Sequence, residues 1–156
     1  MLFRSPRSHG ISTLPLSIVP VQTSQQWHDF HHLPFKIYAD DPNWVAPLLL
    51  ERKFHFQPKH NPYFQHARAA FFLAYRDNQP VGRVTAQIDQ LHLDRYHDAT
   101  GHFGFIEAVD DQAVFDALLK AAEDWLRAQG MERVLGPVSF SLWDQPGLLV
   151  EGFDTP

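Results

Sequence analysis

Apolar and polar positions along this chain change their spacing several times, and each change marks a predicted element. Residues 16–22 alternate loosely and are partly β-branched, which predicts a short strand. Thr23 or Ser24 then offers an N-cap. Trp27, Phe30, His31, Pro34 and Phe35 follow at mostly helical spacing over residues 25–39. Pro34 is expected to end or kink that helix, because it brings no N–H to the carbonyl one turn earlier. Asp40-Asp41-Pro42-Asn43 reads as a turn. Residues 45–56 (VAPLLLERKFHF) read as a second short helix with Pro47 in its first turn, followed by a loop over residues 58–62.

The clearest pattern comes next. Residues 68–76 (RAAFFLAYR) and 80–89 (PVGRVTAQID) predict two strands joined at Asp77-Asn78-Gln79 into a β-hairpin. Residues 101–109 (GHFGFIEAV) predict a third strand. Uninterrupted alternation would put His102, Gly104, Ile106 and Ala108 on one face and Phe103, Phe105, Glu107 and Val109 on the other. Asp110 or Asp111 is expected to cap a helix running to Gln129. Val114, Leu118, Ala121 and Trp125 form one stripe of it, with Phe115, Leu119, Ala122 and Leu126 beside them. Gly130 is the expected stop. Residues 132–140 (ERVLGPVSF) read as a last strand interrupted at Gly136-Pro137. Gly82, inside a strand, predicts close approach by another element. The order strand, helix, helix, three strands, helix, strand predicts an α/β (α+β) fold built on one mixed sheet.

Composition narrows the chemistry. A length of 156 residues suits one domain with a real core. The net charge of -5, with no run of Lys and Arg, argues against nucleic acid as a partner. The absence of cysteine excludes disulfides, a thiolate nucleophile and Cys-ligated zinc. The basic, Ser-containing residues 1–10 lead into an apolar stretch broken by Pro15 and Pro20, unlike a secretory signal. No apolar run reaches membrane-span length. A cytoplasmic location with no membrane partner is the expectation.

The hairpin, with Val81-Gly82-Arg83-Val84 opening its second strand, and the helix-to-strand step over residues 121–134 resemble the GNAT N-acyltransferase superfamily. A closer resemblance is to an uncharacterised bacterial GNAT-like group. It is carried by Asp41-Pro42-Asn43-Trp44, Asn61-Pro62-Tyr63-Phe64, residues 101–107, Gly136-Pro137 and residues 147–154 (GLLVEGFD). The resemblance implies acyl transfer from acetyl-CoA or another acyl-CoA to an amine. It also implies a further helix and two strands after residue 140. The chain is therefore read as a single GNAT-like domain over residues 1–156, incomplete at its C-terminus. On that reading residues 132–140 form an exposed sheet edge prone to self-association.

The same resemblance places candidate site residues. Glu107 lies where the family often carries a general base, and an amine must lose a proton when it attacks a thioester. Apolar neighbours would raise the Glu107 pKa. The alternative is a strand-end carboxylate that is solvated or bonded to a backbone amide. The main chain of Phe105, Ile106, Ala108 and Val109 is the implied pantetheine contact, with ordinary sheet pairing as the alternative. One departure stands out. The family's Gln/Arg-x-x-Gly-x-Gly/Ala pyrophosphate loop is here Glu107-Ala108-Val109-Asp110-Asp111-Gln112-Ala113, with no glycine and two acids after Val109. That departure supports the alternative of a GNAT-derived binding or scaffold domain, or an inactive fragment.

The remaining polar residues read as structural. His28, His31 and His32, and His92, His97 and His102, lack the spacing of a metal motif, so no metal site is expected. Ser139 and Ser141 sit outside any nucleophile elbow. Arg83 reads as a solvent-facing strand residue or an anion contact.

Overall fold

The computed structural model describes residues 14–152, so residues 1–10 and the end of the 147–154 motif lie outside the described part. The elements run β1 (Leu16–Pro20), α1 (Ser24–Ile37), α2 (Leu49–His55), a short 3₁₀ turn (Pro62–Gln65), β2 (Ala67–Arg76) and β3 (Gln79–Asp89). Then come α3 (Gln90–Tyr96), β4 (Thr100–Ala108), α4 (Gln112–Ala128) and β5 (Arg133–Leu135). The five strands form one sheet in sequence order. Neighbours are antiparallel except β4 and β5, which run parallel. This is the mixed α+β sheet that the residue pattern predicts. The two-residue hairpin turn has Asp77 and Asn78 at φ 49° and 56°, which matches the twist of the flanking strands.

Each sheet face has its own core. On one face α4 lies across β2, β3 and β4, and Val114, Leu118, Ala122 and Leu126 bury against Ala74, Val84, Ala86 and Ile88. The buried stripe takes two members from each of the two adjacent stripes read from the sequence, as a 3.6-residue period drifts across a flat sheet. Gly82 is the close approach expected of it: a Cβ there would lie 2.7 Å from Leu118 Cδ1 and 2.8 Å from Val114 Cγ1. On the other face Phe30, Leu33, Phe56, Leu73, Phe105 and Phe140 form an aromatic core under α1.

Four boundary expectations need correction. Helix α1 does not end at Pro34 but continues to Ile37. Pro34 leaves the Phe30 carbonyl without its helical donor, and Arg83 Nη1 supplies one from β3 at 2.7 Å. Helix α2 begins after Pro47, with Leu48 as N-cap, so Pro47 lies outside its first turn. Helix α3 fills part of the span between the second and third strands, where the residue pattern predicts no element. Asp89 caps it, its side chain accepting from Leu91 N at 2.9 Å. Strand β5 stops at Leu135, just before Gly136-Pro137, where proline has no N–H to give a ladder.

A further correction matters most for the site. Alternation along β4 is broken by a bulge. Thr85 pairs with Gly104 and Arg83 with Glu107, so Val84 alone faces both Phe105 and Ile106. Phe105 takes φ 45° to accommodate the extra residue. Phe103, Ile106 and Ala108 therefore pack toward α4, while Phe105 joins the aromatic core and Glu107 faces Arg83.

Gly104 beside the bulge admits no side chain. A Cβ there would collide with the Val138 carbonyl oxygen, a backbone atom that cannot step aside alone. Val138 N donates to Phe103 O at 2.7 Å, and Gln87 Nε2 donates to Val138 O at 2.5 Å. Gly104→Ala must lift this segment off β4 and is expected to destabilise the fold by about 3 kcal/mol. A urea melt of the variant within about 0.5 kcal/mol of the parent would disprove this packing.

Candidate active site

Strands β4 and β5 pair only over Thr100–His102 and Arg133–Leu135. The chain after β5 stays near β4 through Val138 N to Phe103 O and Phe105 N to Ser139 Oγ, the latter at 3.2 Å. Beyond the bulge the two segments part. A cleft of about 290 Å³ opens there, lined by Phe105, Ile106 and Glu107 on one side and Pro137, Ser139 and Leu149 on the other. Tyr38, Arg52 and Arg83 complete its floor.

Glu107 is held firmly by one neighbour. Arg83, only 7% exposed, donates Nε to Glu107 Oε2 at 2.7 Å and places Nη2 at 2.5 Å from the same oxygen. Its Cζ lies 5.0 Å from the centroid of the Phe30 ring, a cation–π contact. Burial pulls the Arg83 pKa down, and the neighbouring Glu107 carboxylate opposes that pull. The surroundings of Glu107 are therefore not the apolar pocket expected for it, and Arg83 is not solvent-facing. Tyr38 follows α1 and stacks on Trp44, with ring centroids 5.3 Å apart. Burial, and then the adjacent Glu107 charge, raise the Tyr38 pKa above its usual value. Its hydroxyl stays protonated beside the carboxylate.

Of the four expected backbone contacts, Phe105 and Ile106 line the cleft. Ala108 pairs with Gly82 in the sheet, and the Val109 amide donates to Val81 O at 2.9 Å. Ser139 serves the bulge, while Ser141 donates its Oγ to Asp144 at 2.8 Å. Asp111, not Asp110, caps α4.

The N-terminus of α4 does not suit a pyrophosphate. Asp111 Oδ1 accepts from Ala113 N at 2.9 Å, and Arg76 Nη1 donates to Asp111 Oδ2 at 2.6 Å. The Val114 amide is taken by Asp111 O. The position where a helix would cradle an anion is filled by the chain's own carboxylate.

Among the described residues no group of three or more His, Asp or Glu converges as a metal site. His28 stacks on His32 at 4.0 Å, and His92 Nε2 bonds Asp98 at 3.1 Å. His31 belongs to the aromatic core, stacked on Trp27 and Phe56, with Nδ1 buried and without a hydrogen-bond partner. Burial lowers its pKa to about 4, with Arg83 adding to the effect. The unfolded chain then binds a proton that the folded chain refuses. Stability is unaffected above pH ~6.5 and falls as the pH drops from there toward about 4. His31→Phe should flatten that loss in thermal melts between pH ~7 and pH ~4.5, and an unchanged slope would rule His31 out as its source.

The mixed five-stranded sheet with its flanking helices has the fold of solved GNAT acetyltransferases. A GNAT-family acetyltransferase of Staphylococcus aureus Mu50 superposes with a TM-score of 0.54 at 11% identity, covering 81% of this chain and 75% of that one. The aminoglycoside acetyltransferase AAC(6')-Iy, solved with a CoA-S-monomethyl-acetylneamine bisubstrate analogue, also gives 0.54, at 15% identity and 80% of each chain. In sequence, the chain is 49% identical over 142 residues to the bacterial ceramide synthase of Caulobacter vibrioides. It is 50% identical over 127 residues to protein YghO of Escherichia coli K12. These stretches cover 90% and 81% of this chain but 37% and 32% of the relatives, so the chain spans about a third of their length. No family profile matches the chain. Among the described residues no helix is long and apolar enough to cross a membrane.

Proposed function

We propose that this chain is an acyl-transfer domain that joins the acyl group of a CoA thioester to the amine of a long-chain amino alcohol. The observation that carries the reading is Glu107. Its carboxylate lies in the cleft at the β4 bulge, on a fold shared with amine acetyltransferases. The similarity to a ceramide synthase supports the acceptor, since a ceramide is a fatty amide of such an amino alcohol. Apolar side chains at the cleft mouth suit a long chain: Val45 is 86% exposed, Leu148 65% and Leu149 66%.

The chemistry is direct attack. The amine lone pair adds to the thioester carbonyl carbon, the C–S bond breaks, and sulfur leaves with the bonding electrons. The proton lost by nitrogen passes through Glu107 and ends on sulfur, so the products are one amide and one thiol. Arg83 keeps Glu107 oriented, and the Tyr38 hydroxyl keeps its proton and serves as a hydrogen-bond donor beside it.

A second reading, a GNAT-derived binding or scaffold domain without chemistry, draws on the acidic cap of α4. Incubating the protein with an acyl-CoA and a long-chain amino alcohol separates the two. Thiol and amide in equal amounts are expected, and neither product would favour the scaffold.

A further inference from the structure

Building on that function, we propose that this chain recognises its acyl donor by the acyl-pantetheine end and makes no grip on the nucleotide. The argument starts at the α4 N-terminus, where free backbone amides would ordinarily meet a pyrophosphate. Here the amides of Val109, Ala113 and Val114 already serve acceptors within the chain. The anion position holds Asp111, bound on one oxygen by Ala113 and on the other by Arg76. Arg76, its side chain 11% exposed, reaches this end of the sheet and gives Nη1 to Asp111, while its Nε is buried without a hydrogen-bond partner. The Arg76 hydrogen bond, first among several causes, holds the Asp111 carboxyl below the usual carboxylate range, so it is ionised at neutral pH. Exposed Asp110 adds a second negative charge next door.

A pyrophosphate seated there would have to displace Asp111 from both partners and lie against Asp110. Opposed like charges at contact distance are unfavourable even when screened. The other end of the donor meets different surroundings. The cleft lined by Ile106, Glu107, Pro137 and Ser139 has room for an extended amide-bearing arm, and Leu148 and Leu149 offer apolar wall to the acyl chain. Affinity is thereby weighted toward the end that reacts. A minimal thioester should serve almost as well as the complete coenzyme.

Thermal-shift titrations of the full chain test this with three probes: octanoyl-CoA, octanoyl-pantetheine and phospho-ADP, the nucleotide end alone. The two thioesters should raise the melting midpoint at concentrations within about tenfold of each other, and phospho-ADP should leave it unmoved. Octanoyl-CoA acting at concentrations about a hundredfold lower, or a shift with phospho-ADP, would overturn the inference and leave the proposed function standing. No shift with either thioester, in a chain that melts cooperatively, would overturn both.

Asp111→Ser supplies a second measurement. Serine keeps an N-cap acceptor for α4 while removing the charge and releasing Arg76. In this variant octanoyl-CoA should gain about tenfold over octanoyl-pantetheine, and phospho-ADP should become a ligand. An unchanged ratio would mean that Asp111 does not occlude a nucleotide site.

Discussion

Arg83→Met is expected to lower the unfolding free energy by about 3–5 kcal/mol, because it leaves charged and polar partners unpaired in a buried position. Arg83 is 7% exposed and has three engagements: Glu107 Oε2 through Nε and Nη2, the Phe30 carbonyl through Nη1, and the Phe30 ring face. Methionine fills much of the same volume, so a cavity contributes little. The loss comes from polarity. The Phe30 carbonyl is the one that Pro34 deprives of its helical donor, so without Arg83 it is buried and unsatisfied, a penalty of about 1–3 kcal/mol. Pro34→Ala in the Arg83→Met background should therefore recover about 1 kcal/mol, since the replacement alanine would bring an N–H to that carbonyl. Urea unfolding with a double-mutant cycle measures both effects. A single-variant loss below about 1 kcal/mol would show that the guanidinium does not hold α1 to the sheet.

Glu107→Gln is expected to reduce kcat for amide formation by about 10²–10⁴-fold while changing the donor KM little. Glutamine keeps an oxygen for the Arg83 guanidinium, so the side chain stays oriented, but its amide does not accept the amine proton. The proposed donor contacts lie along the cleft wall at Ile106 and Leu149, which this substitution leaves alone. The loss should shrink as pH rises, because a larger share of the amine is then already deprotonated. An undiminished kcat at neutral pH would remove Glu107 from the reaction. A rise in KM with normal kcat would recast it as a binding group.

The cleft was only partly legible beforehand, for reasons that particular residues make plain. The hairpin, α4 and the order of strands were readable because a two-residue period, a 3.6-residue period and Asp-Asn turn chemistry are local properties. Glu107 became a candidate through the resemblance to the GNAT acyltransferases, which often carry a general base at that place in the strand. Arg83 and Tyr38 were not readable as its partners. Both are distant from it in sequence, and only sheet pairing and the packing of α1 bring them together. The β4 bulge was equally hidden. Most of the strand fits a regular alternation, and an extra residue declares itself only when β3 is laid alongside.

Short elements show the same division. Helix α3 carries its cap, Asp89, in plain view, yet its seven residues are too few to assert a period against the turn-like residues around them. Pro34 was legible as a helix terminator, yet α1 runs on to Ile37, and a donor from another element serves the carbonyl that Pro34 leaves free. Asp111 was legible as a helix cap. Its further effect, occupying the position a phosphate would take, depends on Arg76 arriving from the end of β2.

The sequence by itself determined the hairpin, α1, α4 and the order of the strands, the apolar stripe of α4, and that the loop before α4 is acidic and free of glycine. These follow from side-chain volume, charge and backbone preference, each acting over a few residues. Tertiary structure alone decided that Arg83 pairs with Glu107, that β4 bulges at the cleft, and that Arg76 ties down Asp111 at the α4 N-terminus. Those features depend on groups far apart in the chain being brought within hydrogen-bonding distance, where burial makes each unpaired charge too unfavourable to leave standing.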